Sequence, residues 1–132
     1  MSSVRENTEC RLMIVDDDLK TLFLVEHALK TAFPEARITT HTDGADALQD
    51  IRKLGTDLLI TDHSMVRMNG ADLIRELRAE GSKLPIIMIS NSPNAKEEGT
   101  AAGADTFMEK GEAMARLPEE VRTLLRTHCC LH

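Results

Sequence analysis

Three short runs of consecutive apolar residues, each ending abruptly on polar groups, constrain this chain more than any other feature. Leu12-Met13-Ile14-Val15 gives way to Asp16-Asp17-Asp18. Leu58-Leu59-Ile60-Thr61 ends in Asp62. Pro85-Ile86-Ile87-Met88-Ile89 ends in Ser90-Asn91-Ser92. Runs of this length, apolar on successive positions, suit strands buried on both faces. Two weaker strands are predicted from Ala36 to Thr40 and from Asp105 to Met108.

Helical periods fill the gaps. Leu22, Val25 and Leu29 recur at helical spacing, with Phe33 closing the set before Pro34. Leu48, Ile51 and Leu54 form a second stripe, opened by Asp43 as N-cap. Leu73, Ile74 and Leu77 form a third, stopped by Gly81. A short fourth helix is expected from Ala95 to Ala102, with Ser92 as its cap and Pro93 in its first position. Gly99 falls inside it and marks it as weak. Val121, Leu124 and Leu125 make the last stripe, with Pro118 near the start of that helix.

The order is therefore strand then helix, five times over. Such alternation implies right-handed crossovers and a parallel sheet covered by helices on both faces. Pattern alone leaves the strand order open, but the runs ending at Asp62 and Ser90 belong in the interior. In open sheets of this kind the site lies beyond the carboxyl ends of the strands.

Composition fits one such domain. The chain has 132 residues and 42% hydrophobic content, enough for a single core. Aromatics make up only 2%, so that core must come from Leu, Ile, Val, Met and Ala. A formal net charge of −6 disfavours direct binding to nucleic acid or an anionic membrane. No apolar run approaches the length of a membrane span, and residues 1–7 lack the apolar core of a signal peptide. The three cysteines, Cys10, Cys129 and Cys130, do not resemble a disulfide framework. The tail His128-Cys129-Cys130-Leu131-His132 matches no standard zinc spacing. A cytoplasmic protein is the expectation, with residues 1–9 as a tail, 10–126 as the domain and 127–132 as a second tail.

Chemistry-bearing residues collect at the predicted strand ends. Asp16 and Asp17 follow the first strand, Asp62 the third, Ser90 the fourth and Lys110 the fifth. Clustered carboxylates raise one another's pKa and are costly unless neutralised. A hard divalent cation such as Mg²⁺ binds one or two carboxylates together with waters and phosphate oxygens. An ammonium at Lys110 supplies further positive charge. Such a site suits an incoming phosphoryl group, with a carboxylate as nucleophile.

At these positions the sequence resembles a family. Val15-Asp16-Asp17-Asp18, the stretch from Asp62 to Gly70, Leu84-Pro85 through Ser90, and Gly103 through Lys110 look like the four signatures of response-regulator receiver domains. The resemblance covers roughly residues 10 to 126. It implies a flavodoxin-like fold with strand order 2-1-3-4-5. Asp62 is implied as phosphoacceptor, with Mg²⁺ (or Mn²⁺) held by Asp16, Asp17, Asp62 and the Ser64 backbone carbonyl. Ser90, Asn91 and Lys110 are implied to bind the phosphoryl group, and Ser90 and Phe107 to form the switch. The implied partners are a sensor histidine kinase or phosphotransfer protein, and a downstream output protein. A monomer or weak homodimer is expected, with no enzymatic activity beyond self-phosphorylation and autodephosphorylation.

Several positions depart from the family pattern. Val66 stands where proline is usual, so a less rigid loop after Asp62 is expected. Asn91 replaces a small residue, and either crowds the phosphoryl path or adds a hydrogen bond. Gly111 replaces a proline after the lysine, so a trans Lys110–Gly111 peptide is expected. The segment from Ser90 to Phe107 is shorter than usual, which points to a truncated fourth helix. Ser64 and Ser92 occupy positions that tune dephosphorylation.

Plainer readings stand beside these. Asp16 and Asp17 are also what a loop and helix cap would use. Ser90 could be an ordinary strand-end hydroxyl, Lys110 a solvated lysine, and Phe107 simple core. His63 reads as an exposed loop residue rather than a ligand. As functions, a pseudo-receiver that docks without phosphate competes with the phosphoacceptor. A phosphatase of the haloacid-dehalogenase type would use Asp16 and Asp18, but position 20 is Lys. A nucleotide-binding protein of flavodoxin type lacks its glycine loop after the first strand.

Overall fold

The computed structural model describes residues 10–65 and 67–127. Residues 1–9, Val66 and the tail with Cys129 and Cys130 lie outside the described residues. Five strands, β1 (Arg11–Val15), β2 (Arg37–His41), β3 (Leu58–Thr61), β4 (Ile86–Ile89) and β5 (Thr106–Met108), alternate with five helices. These are α1 (Leu19–Ala32), α2 (Gly44–Leu54), α3 (Gly70–Ala79), α4 (Ala95–Ala102) and α5 (Lys110–Thr127). All four strand pairings are parallel, and the sheet order is β2-β1-β3-β4-β5. This is the flavodoxin-like α/β sandwich.

Two cores explain the continuous apolar runs. Leu12, Ile14, Leu58, Ile60 and Ile87 face one side, against α1 and the Leu117, Val121 and Leu125 stripe of α5. Met13, Val15, Leu59, Ile86 and Met88 face the other, against α2, α3 and α4. Successive strand residues thus enter opposite cores, and neither set can be polar. β3 and β4 are buried at every position, while the edge strands β2 and β5 are only partly covered. The phenylalanines sit at the margins: Phe33 and Phe107 pack at the edges of the two cores, and Phe23 is exposed. Arg122 stacks over Phe33, 5.1 Å from the ring centre, and ties α5 to the end of α1.

Two expectations are corrected. Ser92 does not cap α4: the helix starts after Asn94, which is left-handed at φ 68° and makes no side-chain cap bond. Asn is among the few non-glycine residues that adopt this conformation readily. Pro118 is not near the start of α5 but well inside it. The helix runs on because Ala113, Leu117, Val121 and Leu125 form one buried stripe across the proline. That burial outweighs the one backbone bond a proline forfeits. The helix runs to Thr127.

Close packing rather than a turn surrounds glycine at Gly99 and Gly70. Gly99 lets α4 settle on Met88: an added Cβ would lie 2.6 Å from the Met88 sulfur. Its presence in α4 therefore reflects close contact with the sheet. At Gly70 an added Cβ would sit 2.0 Å from the Asp62 carbonyl oxygen, a backbone atom that cannot rotate away. The Gly70 N–H also bonds the His63 carbonyl at 2.8 Å, so the start of α3 is pressed onto the Asp62 loop. Gly70→Ala should destabilise the protein by about 2 kcal/mol or more through this overpacking. Denaturant unfolding measures it, and a variant as stable as the parent would contradict the contact.

Candidate functional site

Backbone ladder bonds carry the site residues past the ends of the strands. Asp16 N–H donates to the His41 carbonyl at 3.0 Å, Asp62 N–H to Val15 at 2.9 Å, and Ser90 N–H to Met108 at 3.1 Å. Each functional residue is therefore the first one beyond its strand and is still bonded to the neighbouring strand. The β2-β1-β3-β4-β5 order then brings Asp16, Asp62 and Ser90 to one edge of the sheet.

Carboxylate oxygens of Asp16, Asp17 and Asp62 lie within 4.8 Å of one another. Asp16 and Asp62 are buried and Asp17 is exposed. Asp18 is absent from the group because it turns outward to cap α1, accepting from Lys20 N–H at 3.1 Å and Thr21 hydroxyl at 3.0 Å. Its position removes the second aspartate that a dehalogenase-type reading needs.

One ammonium faces the group. Lys110 Nζ is 3.3 Å from Asp16 Oδ2 and 3.6 Å from Asp62 Oδ2. Burial works against its charge, but the Asp16 and Asp62 carboxylates outweigh that and raise its pKa. One cation cannot neutralise three carboxylates. Burial first pushes the Asp16 carboxyl up to about 6. The Asp18 N–H, donating to Asp16 Oδ1 at 2.8 Å, opposes the rise, and the Asp62 charge adds to it. This is an oxygen-rich, partly buried, under-neutralised set, and its chemistry fits a hard divalent ion.

Asp62 is oriented from its own loop. Its Oδ1 accepts the His63 N–H at 2.7 Å, which leaves Oδ2 toward Lys110. The side chain is buried, with 7% of its surface accessible.

His63 is a correction: its side chain is only 13% exposed, and Nε2 lies 2.6 Å from Glu98 on α4. Nothing in the sequence spacing pairs two residues so far apart, and only the fold brings them together. Ser64 hydroxyl and Ser92 hydroxyl bond at 2.9 Å, a second link from the loop after Asp62, here to the segment before α4. On the other side Arg67 pairs with Asp43 and Asp46 at the start of α2.

The remaining expected residues lie around this cluster. Ser90 is buried and its Oγ accepts the Ser92 N–H at 3.0 Å. Phe107 and Ser90 line one open depression of about 480 Å³, together with Asn91, Pro93 and Lys96. Asn91 is exposed and its Oδ1 accepts the Lys110 N–H at 2.9 Å. No cis peptide occurs among the described residues, so Lys110–Gly111 is trans as expected.

The raised Asp16 pKa makes metal-free stability depend on pH. Folded Asp16 holds its proton to about 6, the unfolded residue only to about 3.8. The folded state binds the extra proton in between, so this group's contribution to stability declines as pH rises from 4 to 6. Asp16→Asn should then stabilise the metal-free protein at pH 7 by about 1–2 kcal/mol, and by much less at pH 4. Thermal unfolding at the two pH values in chelator tests this. Equal shifts at both would contradict it.

The sequence matches the family described as Response regulator receiver domain over residues 12–122. It is 33% identical over 120 residues to the two-component response regulator PhoP of Pseudomonas aeruginosa, covering 88% of this chain and 52% of that one. It is 31% identical over 121 residues to the transcriptional regulatory protein PrrA of Mycobacterium tuberculosis, covering 90% and 51%. The chain thus spans about half the length of these relatives. Among solved structures, the receiver domain of the Francisella response regulator 1452 superposes with a TM-score of 0.74 at 28% identity, covering 91% of this chain and 99% of that one. A CheY-like receiver domain protein from Methanospirillum hungatei gives 0.81 at 21% identity over 91% and 96%, a likeness of fold. No helix among the described residues is long and apolar enough to cross a membrane. With its motifs gathered at one sheet edge and the family matched across most of its length, this chain belongs to the response regulator receiver domains of two-component systems.

Proposed function

We propose that this receiver domain takes a phosphoryl group on Asp62 from a phosphohistidine donor and signals through the change of surface that follows. The observation that carries the reading is the under-neutralised trio Asp16, Asp17 and Asp62 facing one lysine. Such a set gains most from a ligand that brings a cation and places an anion beside Lys110.

In the reaction an Asp62 oxygen attacks phosphorus. The P–N bond of the donor breaks, its electron pair returns to the imidazole nitrogen, and that nitrogen takes a proton. The product is an aspartyl phosphate on Asp62. His63 N–H holds the carboxylate in its attacking orientation. Lys110 pairs with a phosphoryl oxygen, and the Ser90 hydroxyl, released from Ser92, donates to another. Asp16, Asp17, Asp62 and the Ser64 carbonyl would hold Mg²⁺ or Mn²⁺, which supplies positive charge to the phosphoryl oxygens when bound. Most of the catalysis is position and charge rather than acid–base work.

The Ser90 displacement is the start of the switch. Phe107 shares the same depression, so a Ser90 moved toward the phosphoryl group leaves room for the ring to turn inward. The surface of α4, β5 and α5 then changes its affinity for an output protein, a two-state element biased by local charge. The donor is a sensor histidine kinase or a phosphotransfer protein. The domain acts in the cytoplasm as a monomer or weak homodimer, with self-phosphorylation and autodephosphorylation as its only chemistry.

Acetyl phosphate with Mg²⁺ should add one phosphoryl mass to the intact protein, and Asp62→Asn should take up none. Lys110→Ala should slow uptake on the order of 100-fold, the usual effect of losing one charge-stabilising group. Intact-mass spectrometry over time reads all three. A parent protein that gains no mass from acetyl phosphate or from any kinase tried would sink the phosphoacceptor reading and favour a docking module.

A further inference from the structure

Lys110 has to reach back from the first residue of α5 to two carboxylates, and little in its own segment holds it there. Gly111 follows it with no side chain, and the space around that glycine is empty. Glu109 before it is exposed, and the Glu112 carboxylate bonds the Glu109 N–H at 3.0 Å rather than the lysine. As the first helical residue, Lys110 also has no intrahelical partner for its N–H.

Asn91, in the loop after β4, supplies that partner. Ser90 N–H to the Met108 carbonyl is the last backbone rung between the ends of β4 and β5. One step further along, the Asn91 side chain adds a rung of its own, Oδ1 accepting Lys110 N–H at 2.9 Å. The bond joins the residue after the phosphoryl-facing Ser90 to the backbone of the phosphoryl-facing lysine. It also links the two departures from the family pattern at this edge. The ring that usually restrains the chain after the lysine is missing at 111, and a carboxamide has replaced a small residue at 91.

We propose that Asn91 is a positioning residue for Lys110, fixing its backbone through the Oδ1 bond rather than contacting the phosphoryl group. The inference rests on the phosphoacceptor reading above. A lysine whose backbone is free to shift by about an ångström loses its alignment on the reacting oxygens, and errors of that size cost rate steeply.

The test is a double-mutant cycle between Asn91→Ala and Lys110→Ala, with phosphoryl uptake from acetyl phosphate and Mg²⁺ as readout. Asn91→Ala alone should slow uptake about tenfold, and in the Lys110→Ala background it should change the rate by less than about twofold. Asn91→Asp keeps the acceptor oxygen and should be faster than Asn91→Ala. A residue that touched the phosphoryl group through its NH₂ would show the reverse order, because a carboxylate there repels the anion. Equal slowing by Asn91→Ala in both backgrounds, no slowing in either, or an aspartate slower than the alanine would overturn the assignment while leaving the phosphoacceptor in place. Failure of the unsubstituted protein to take up any phosphoryl group would overturn both.

Discussion

The repulsion among three carboxylates that one lysine cannot satisfy is the constraint on which the rest of this structure turns. Burial makes that repulsion stronger, because low local dielectric removes the screening that water would give. The fold accepts the cost at a single edge of the sheet. Asp16 and Asp62 are nearly buried there because β1 and β3 are adjacent interior strands, and the acids are the first residues beyond them. Burial first, with the Asp62 charge adding to it, leaves a carboxyl group at Asp16 that holds its proton well above the ordinary range. Strained electrostatics of this kind gather at functional sites because they are relieved only by the ligand.

Around the cluster, the loop carrying Asp62 is held from both sides. Arg67 anchors it to the start of α2, and Gly70 presses it against α3. His63 and Ser64 tie it to Glu98 and Ser92 at α4. These links are side-chain contacts at partly exposed positions, each modest on its own. Together they fix the loop that carries Asp62 between α2, α3 and α4. Two side-chain bonds, His63 to Glu98 and Ser64 to Ser92, thus tie the Asp62 loop to α4 and to the segment that leads into it.

How much of this was legible in the sequence follows from what each feature depends on. The interior strands were plain because a strand buried on both faces is apolar at nearly every position, so Leu12 to Val15 and Ile86 to Ile89 announced themselves. The edge strands were weaker signals, since half-exposed β2 and β5 tolerate Thr, Arg and His. The bounds of α4, Ala95 to Ala102, were legible, but its cap was not, because Ser92 and Pro93 form a familiar opening whereas a left-handed Asn94 leaves no such signature. Pro118 was over-read, because a proline's local cost says nothing about the buried stripe that outweighs it. The site residues at strand ends were legible as a set. The His63–Glu98 and Asn91–Lys110 bonds were not, since each joins segments that only the parallel sheet brings side by side.

A crystal structure grown with magnesium and beryllofluoride tests the central claim most directly. The account predicts an ion shared by Asp16, Asp17 and Asp62, and a beryllofluoride group on Asp62 in contact with Lys110. Finding the three acids turned away from one another, or the fluoride bound elsewhere with Asp62 bare, would contradict it.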